Sequence, residues 1–324
     1  MIKSIAHLLS PAGADARLSI LIFHRVLPTP DLLLPDIFDA ARFDAVCGWL
    51  RRWFTVLPLD GAVRRLRDGS LPARAAAITF DDGYADNHDV ALPILQRHGL
   101  RASFFVSTGY LDGGRMFNDS VIEALRGATV DVLDLQGTDI GDLGRHPIGS
   151  YDQRRRLIGE LLDRLRPLSF AQRGVFCRQL QQRVGSRDLP TDLMMASTQV
   201  CALHRAGMQI GAHTVLHPIL SRLDDADALS EMRGSRETLE TLLDAPVRLF
   251  AYPNGRPTVD YSARSVELAR EAGFDAAVST AWGVARQQSD PLQLPRFTPW
   301  DRSRLRFGLR MLANLRSAAE ARAA

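Results

Sequence analysis

The 324-residue sequence predicts an α/β protein built on parallel strands. Three observations carry that expectation. Short, continuous apolar runs bounded by turn residues recur along the chain, as buried strands do. Segments with apolar residues at helical spacing lie between them, so strand and helix alternate as in βα units. Reactive side chains stand directly after several of the strands, where parallel barrels build their sites.

Leu18 to Phe23 is the first buried-strand candidate, and it stops at His24-Arg25. Ala41 to Phe54 sets Phe43, Val46, Cys47, Leu50 and Trp53 on one helical face, and Phe54 to Leu59 follows as a short strand. Ala75 to Phe80 is apolar as far as Thr79 and ends in Asp81-Asp82-Gly83. A helix near His88–His98 is closed by Gly99, where helices favour glycine, and Arg101 to Ser107 is the next strand. Residues 110–195 break this rhythm with a short helix around Ser120–Arg126, a Gly/Asp-rich stretch at 127–150, and helices at 151–165 and 169–184. The arginines of the 151–165 helix read as a solvated face, and the whole segment as an insertion or cap.

Alternation resumes with a helix at Ser197–Ala206 and a strand at Met208–Ala212 that ends at His213. The helix Asp224–Leu243 takes Ser221 as its N-cap, and the strand Val247–Tyr252 ends at Pro253-Asn254-Gly255. The helix Tyr261–Ala272 and the strand Asp275–Thr280, leading to Trp282, complete a set of seven strands. The chain then divides into an N-terminal segment (1–17), a barrel body (18–300) and a C-terminal stretch (301–324). In the last, Leu305, Phe307, Leu309, Met311, Leu312 and Leu315 stand among arginines. They describe an amphipathic helix, docked on the body or touching a membrane surface.

An apolar content of 46% with 24% charged residues describes an ordinary globular chain with ample core. The net charge is only +3 and Lys3 is the sole lysine, so no nucleic-acid partner is expected. Cys47, Cys177 and Cys201 are odd in number and widely spaced, which excludes a disulfide framework or a Cys-x-x-Cys metal site. No apolar run reaches membrane-spanning length. The brief apolar patch within residues 1–12 is too interrupted for a signal peptide, so a cytoplasmic protein is expected.

Two adjacent carboxylates at the mouth of a buried strand repel each other unless a positive partner sits beside them. Taken alone, Asp81-Asp82-Gly83 also reads as a solvated turn. His213-Thr-Val-Leu-His217 changes the balance: two imidazoles four residues apart can serve one ion if the loop turns helically, and Gly211 gives room for close approach. A zincin-type protease helix would need Glu after the first histidine, where Thr214 stands. One Asp and two His leave an open position, which suits a catalytic divalent ion such as zinc, with cobalt or nickel as alternatives. The second aspartate is then free to act as a base.

In this order, TFDDG at 79–83, HTVLH at 213–217 and FAYPNG at 250–255 resemble the polysaccharide deacetylase family of carbohydrate esterases. The resemblance implies a distorted (β/α)7 barrel that removes N-acetyl groups from N-acetylated amino sugars of a polysaccharide or its precursor. It also implies Asp81 as general base, Asp82, His213 and His217 as metal ligands, and the Asn254 main-chain N–H as oxyanion donor. Two features depart from the pattern. Ala251 stands where an arginine often holds the base, and Leu294-Pro295-Arg296 replaces the late Leu-x-His. The ILIFHRV segment resembles the permuted poly-N-acetylglucosamine subgroup, in which the acid histidine comes early. His24 is therefore the candidate acid, or else a histidine capping a strand. Arg296 is the candidate partner of Asp81, or else an exposed or salt-bridged arginine. Tyr84, Asn87, Tyr252, Pro253 and Trp282 are candidates for the sugar site, with aromatic packing or turn chemistry as the other account of the first three. The rival functions are a related hydrolase of a formamide or cyclic ureide and a non-catalytic glycan-binding barrel.

Overall fold

The computed structural model describes residues 1–185, 188–317 and 321–323, arranged as two compact units. Residues 318–320 and 324 of the expected C-terminal segment, and 186–187 of the expected insertion, lie outside the described residues. The larger unit comprises residues 1–29, 38–112 and 195–324.

Its frame is a ring of parallel strands, β1 (Ser19–Phe23), β2 (Ala75–Phe80), β3 (Ser103–Val106), β4 (Gln209–Ala212), β5 (Leu249–Ala251), β6 (Ala276–Trp282) and β7 (Leu294–Arg296). Each pairs with the next, and one parallel bridge between Leu21 and Phe297 brings the end of β7 back to β1. Phe297 donates to the Ile20 carbonyl at 2.7 Å, and Ile22 donates to that of Phe297 at 3.1 Å. The result is a nearly closed barrel with helices around it. The count of seven agrees with the sequence, but one member differs. Thr55–Val56 pairs only with β2, off the ring. The seventh place belongs to Leu294-Pro295-Arg296, whose pairing with β6 shifts register between Val278 and Trp282, an irregularity that accommodates a proline.

Because strand side chains alternate, β1, β2, β3, β5 and β6 each contribute to two cores. Ile20, Ala75, Ala77, Phe105, Leu249, Ala251, Val278 and Leu294 form an inner cluster. Leu21, Phe23, Ile78, Phe80, Phe104, Val106 and Phe250 belong to a second, shared with Val46, Leu50, Leu95, Met232 and Val266 from the surrounding helices. The helix Leu59–Arg67, absent from the sequence reading, adds Leu59, Ala62, Val63 and Leu66 to the inner cluster. It lies at the amino ends of the strands: the Gln209 side chain accepts from the Asp60 N–H at 3.4 Å and from Ser103 Oγ at 2.8 Å. Asp224, not Ser221, caps the helix Asp225–Leu243, its carboxylate accepting the Asp227 N–H at 2.8 Å. Ser221 sits in a separate single turn and donates to the Val259 carbonyl. The helix expected near His88 begins as a wider turn, Asn87–Ala91, before Leu92–Arg97.

The smaller unit comprises residues 30–37 and 113–194. It holds the helices Phe117–Arg126, Tyr151–Leu165 and Phe170–Arg183, and the antiparallel pair Val132–Asp134 and Arg145–Pro147. Ser150 with Gln153, and Ser169 with Gln172, form reciprocal caps at two helix starts. Val121, Leu125, Leu133, Leu161, Phe176 and Leu180 give this unit a core of its own.

Gly211 on β4 shows how tightly the ring is filled. A β-carbon there would stand 2.5 Å from Phe105 Cδ1 and 3.0 Å from the Leu249 carbonyl oxygen. Gly211→Ala is expected to destabilise the fold by about 1–3 kcal/mol through overpacking, read as a lowered urea midpoint at unchanged slope. An unchanged midpoint would show that the ring relaxes freely at this position.

Candidate active site

The carboxyl ends of the ring strands carry His24, Asp81-Asp82, His213, the Tyr252–Asn254 turn, Trp282 and Arg296. Three ligand atoms from Asp82, His213 and His217 lie within 4.8 Å of one another, and no other such group of three occurs among the described residues. His213 Nε2 and His217 Nε2 each stand 3.4 Å from Asp82 Oδ1. His213 Nδ1 lies 2.7 Å from the Ala251 carbonyl, to which it must donate. In a neutral ring that leaves Nε2 as an acceptor facing the Asp82 carboxylate. A cation resolves this meeting of lone pairs, so the donor set fits a divalent metal ion.

The charges point the same way. Burial opposes ionisation of Asp82, yet the His213 contact and the charges of His24 and His217 hold its carboxyl well below the usual range. Burial likewise opposes a charge on His213, but Asp82 and Asp81 outweigh it and raise its pKa. His217 is pulled down to about 4, chiefly by burial and against the attraction of Asp82. The site attracts positive charge while one imidazole stays neutral.

Asp81 and Asp82 are neighbours with separate surroundings. Asp81 continues β2, its N–H donating to the Phe23 carbonyl at 2.9 Å. At Asp82 the backbone turns left-handed, with φ of 77°, so the chain changes direction one residue before the expected Gly83. Arg296 is 1% exposed and grips Asp81 with both arms, Nη1 to Oδ1 at 2.7 Å and Nη2 to Oδ2 at 2.6 Å. Its Nε donates to the Ser279 carbonyl at 2.7 Å, and Nη1 also reaches Thr79 Oγ1 at 3.2 Å. Burial raises the Asp81 pKa, but the Arg296 charge, helped by His213 and His24, takes it below the normal value.

The His213–His217 segment is a strained turn, not the helical one expected. Thr214 and His217 have φ of 63° and 54°, and Asn254 on the neighbouring rim has 58°. Each such residue costs roughly 1–3 kcal/mol and persists only where its surroundings enforce it. Here the enforcing groups are identifiable. Thr214 Oγ1 donates to the His213 carbonyl at 2.6 Å and accepts the His217 N–H at 3.0 Å. Ser107 Oγ donates to the same His213 carbonyl at 2.9 Å. Glu231, on the helix Asp225–Leu243, accepts the N–H groups of both Val215 and Leu216 on one oxygen at 2.8 Å. Glu231 escapes a sequence reading because no local pattern ties a helix residue to a loop on a preceding strand.

The expected sugar-lining residues separate into two groups. Trp282, 45% exposed, and Asn254, partly exposed, stand at the rim. Tyr252 does not line an open site: it is fully buried, stacks on Tyr261 at 4.0 Å and gives its hydroxyl to the Leu292 carbonyl. Pro253 is buried in the turn after it. Tyr84 is also buried, its ring under the Arg25 guanidinium at 4.6 Å, and Arg25 is held by Asp86 at 2.8 Å. Asn87 is buried too and donates to the His24 carbonyl at 2.8 Å, so it positions the rim from beneath. The His24 side chain is exposed, close enough for its charge to act on Asp81, Asp82 and His217.

A barrel with a metal-capable Asp-His-His set at its carboxyl rim defines a class of hydrolase scaffold. A polysaccharide deacetylase family model matches residues 68–132 and 180–277, and the chain belongs to that family. A Bacillus subtilis (strain 168) relative, YxkH, described as a polysaccharide deacetylase, is 21% identical over 283 residues, covering 87% of this chain and 71% of that protein. Among solved structures, IcaB from Ammonifex degensii aligns over 95% of this chain and 99% of its own, with a TM-score of 0.60 and 17% identity. The Streptococcus pyogenes deacetylase PplD, solved in complex with acetate, covers 88% of this chain and 92% of its own, with a TM-score of 0.56 and 19% identity.

Removing the Arg296 side chain would strand the buried Asp81 carboxylate. Arg296→Ala is expected to cost about 3–5 kcal/mol of unfolding free energy, and Asp81→Asn in the same chain to recover part of that loss. Additive losses in urea titrations of the two single variants and the double variant would show that the pair is not coupled.

Proposed function

We propose that this chain is a metal-dependent hydrolase that removes N-acetyl groups from N-acetylated amino sugars in a polysaccharide or its precursor. One observation carries the reading: a convergent Asp82-His213-His217 donor set beside a second carboxylate, Asp81, held charged by a buried arginine. The family membership and the acetate bound to the S. pyogenes deacetylase support the acetyl group as the one removed. A barrel that only bound glycans would have no use for a buried, counter-charged carboxylate next to a ligand set.

Asp82, His213 and His217 would hold a divalent cation, with zinc the best match to a mixed nitrogen and oxygen set and cobalt or nickel as substitutes. When bound, such an ion supplies the positive charge that polarises an amide carbonyl and eases deprotonation of water. Asp81 takes the proton from the attacking water. Arg296 occupies one lone pair on each of its oxygens, which leaves each oxygen another with which to accept it. The water oxygen joins the carbonyl carbon and the carbon–nitrogen bond breaks, giving acetate and a free amine. His24, exposed at the rim, gives the amine its proton. The Asn254 main-chain N–H faces the developing oxyanion, and Trp282 offers a flat apolar wall to the sugar ring.

Acetate release from N-acetylglucosamine oligomers is expected to stop with a zinc chelator and return with added Zn2+. Asp81→Asn is expected to lower kcat by about 10²–10⁴. Chelator-insensitive release or a fully active variant would remove the mechanism, and turnover of formamides or cyclic ureides alone would move the substrate to the rival amide class. Glu231→Ala should weaken Zn2+ binding to the metal-free protein by about 10–100-fold in calorimetric titration at a temperature where the variant remains folded. Unaltered zinc affinity would show that the loop holds its shape without Glu231.

A further inference from the structure

The helices Ile2–Leu9 and Arg304–Leu315 pack against each other in the larger unit, and each carries more apolar surface than that packing uses. Ile2 and Ala6 turn inward on the first, and Phe307, Met311, Leu312 and Leu315 on the second. Gly308 makes the close approach possible, since a β-carbon there would stand 3.0 Å from Ile2 Cδ1 and 3.3 Å from Trp53. A second stripe on each helix faces solvent. Leu8 is 80% exposed, Leu305 59% and Leu309 51%, Ile5 joins them, and Met1 and Trp300, the latter beneath Arg310, stand just outside the helices. Of the large apolar side chains left exposed on the larger unit, only Val259 and the rim Trp282 lie elsewhere among the described residues.

The charge on the two helices themselves has one sign. The helices carry Lys3, Arg304, Arg306 and Arg310 and no acidic residue, and Arg51 and Arg52 end the neighbouring helix Ala40–Trp53. The nearby Asp301 is taken by Arg310 at 2.7 Å. Met1, Lys3, Arg52, Arg304 and Leu305 line one groove of about 490 Å³, so apolar and basic groups share a continuous surface. A soluble monomer gains nothing from such a patch. Exposed leucines and a tryptophan amid arginines match the acyl boundary and anionic headgroups of a bilayer. No helix among the described residues is long and apolar enough to cross a membrane, so the contact is one of a surface with a surface.

We propose that this two-helix face docks the protein on an anionic lipid bilayer. The test is co-sedimentation of the full chain with phosphatidylcholine vesicles prepared with and without phosphatidylglycerol. Binding is expected only with phosphatidylglycerol, weakening as salt rises. The double variant Leu305→Glu/Leu309→Glu is expected to lower the bound fraction about tenfold or more, with its thermal melt unchanged because both leucines face solvent. Leu8→Ser, on the other helix, gives an independent reading if the double variant folds poorly. Absence of binding, equal binding to both vesicle types, or binding untouched by either variant would overturn the proposal. So would a dimer in sedimentation velocity that the double variant dissociates without any lipid binding, which would make the face a contact between copies of this chain.

Discussion

The buried pair of Asp81 and Arg296 is the interaction on which the rest of the rim depends. It joins the end of β2 to β7, and through the Ser279 carbonyl it engages β6 as well. Two opposite charges in a low-dielectric interior are stable only with good geometry and satisfied hydrogen bonds, and here both carboxylate oxygens and three guanidinium nitrogens have partners. The same grip gives Asp81 its chemical character. A carboxylate held below its usual pKa stays ionised in its buried place, and in the proposed reaction it would accept a proton from a fixed position.

Beside this rigid pair the chain holds several residues in left-handed backbone. Asp82, Thr214, His217 and Asn254 make up half of the non-glycine residues with positive φ among those described. Around Thr214 and His217 the backbone is held by hydrogen bonds with Ser107, Thr214 and Glu231, which come from a second strand end, the loop itself and a helix. The ligand set is thus preorganised by groups that touch no ligand atom, while the Ala251 carbonyl settles which nitrogen of His213 faces inward.

Much of this was legible in the sequence. Six ring strands announce themselves as apolar runs, and the Asp-Asp and His-x-x-x-His elements stand where those runs stop. β7 was not legible, because three residues with a central proline and a charged end have no strand periodicity. Thr55-Val56 has good strand composition but no place in the ring, a matter of pairing that composition does not encode. Arg296 could be suggested as a partner for Asp81 once Ala251 was seen where the family often has arginine, but only the fold brings it there. Tyr84, Asn87 and Tyr252, which the sequence offers for the sugar site, lie buried in the fold. Aromatic and amide residues beside a motif can equally be its underlayer, and burial decides between the two.

The distance along the chain between the paired charges has a consequence for biosynthesis. Asp81 and Arg296 are 215 positions apart, so a ribosome adding roughly 5–20 residues per second makes the carboxylate roughly ten to forty seconds before its counter-charge. Through that interval the nascent strand ends in two aspartates with no arginine to neutralise them, and the seam between Leu21 and Phe297 cannot form. The barrel therefore cannot close until β7 has been made.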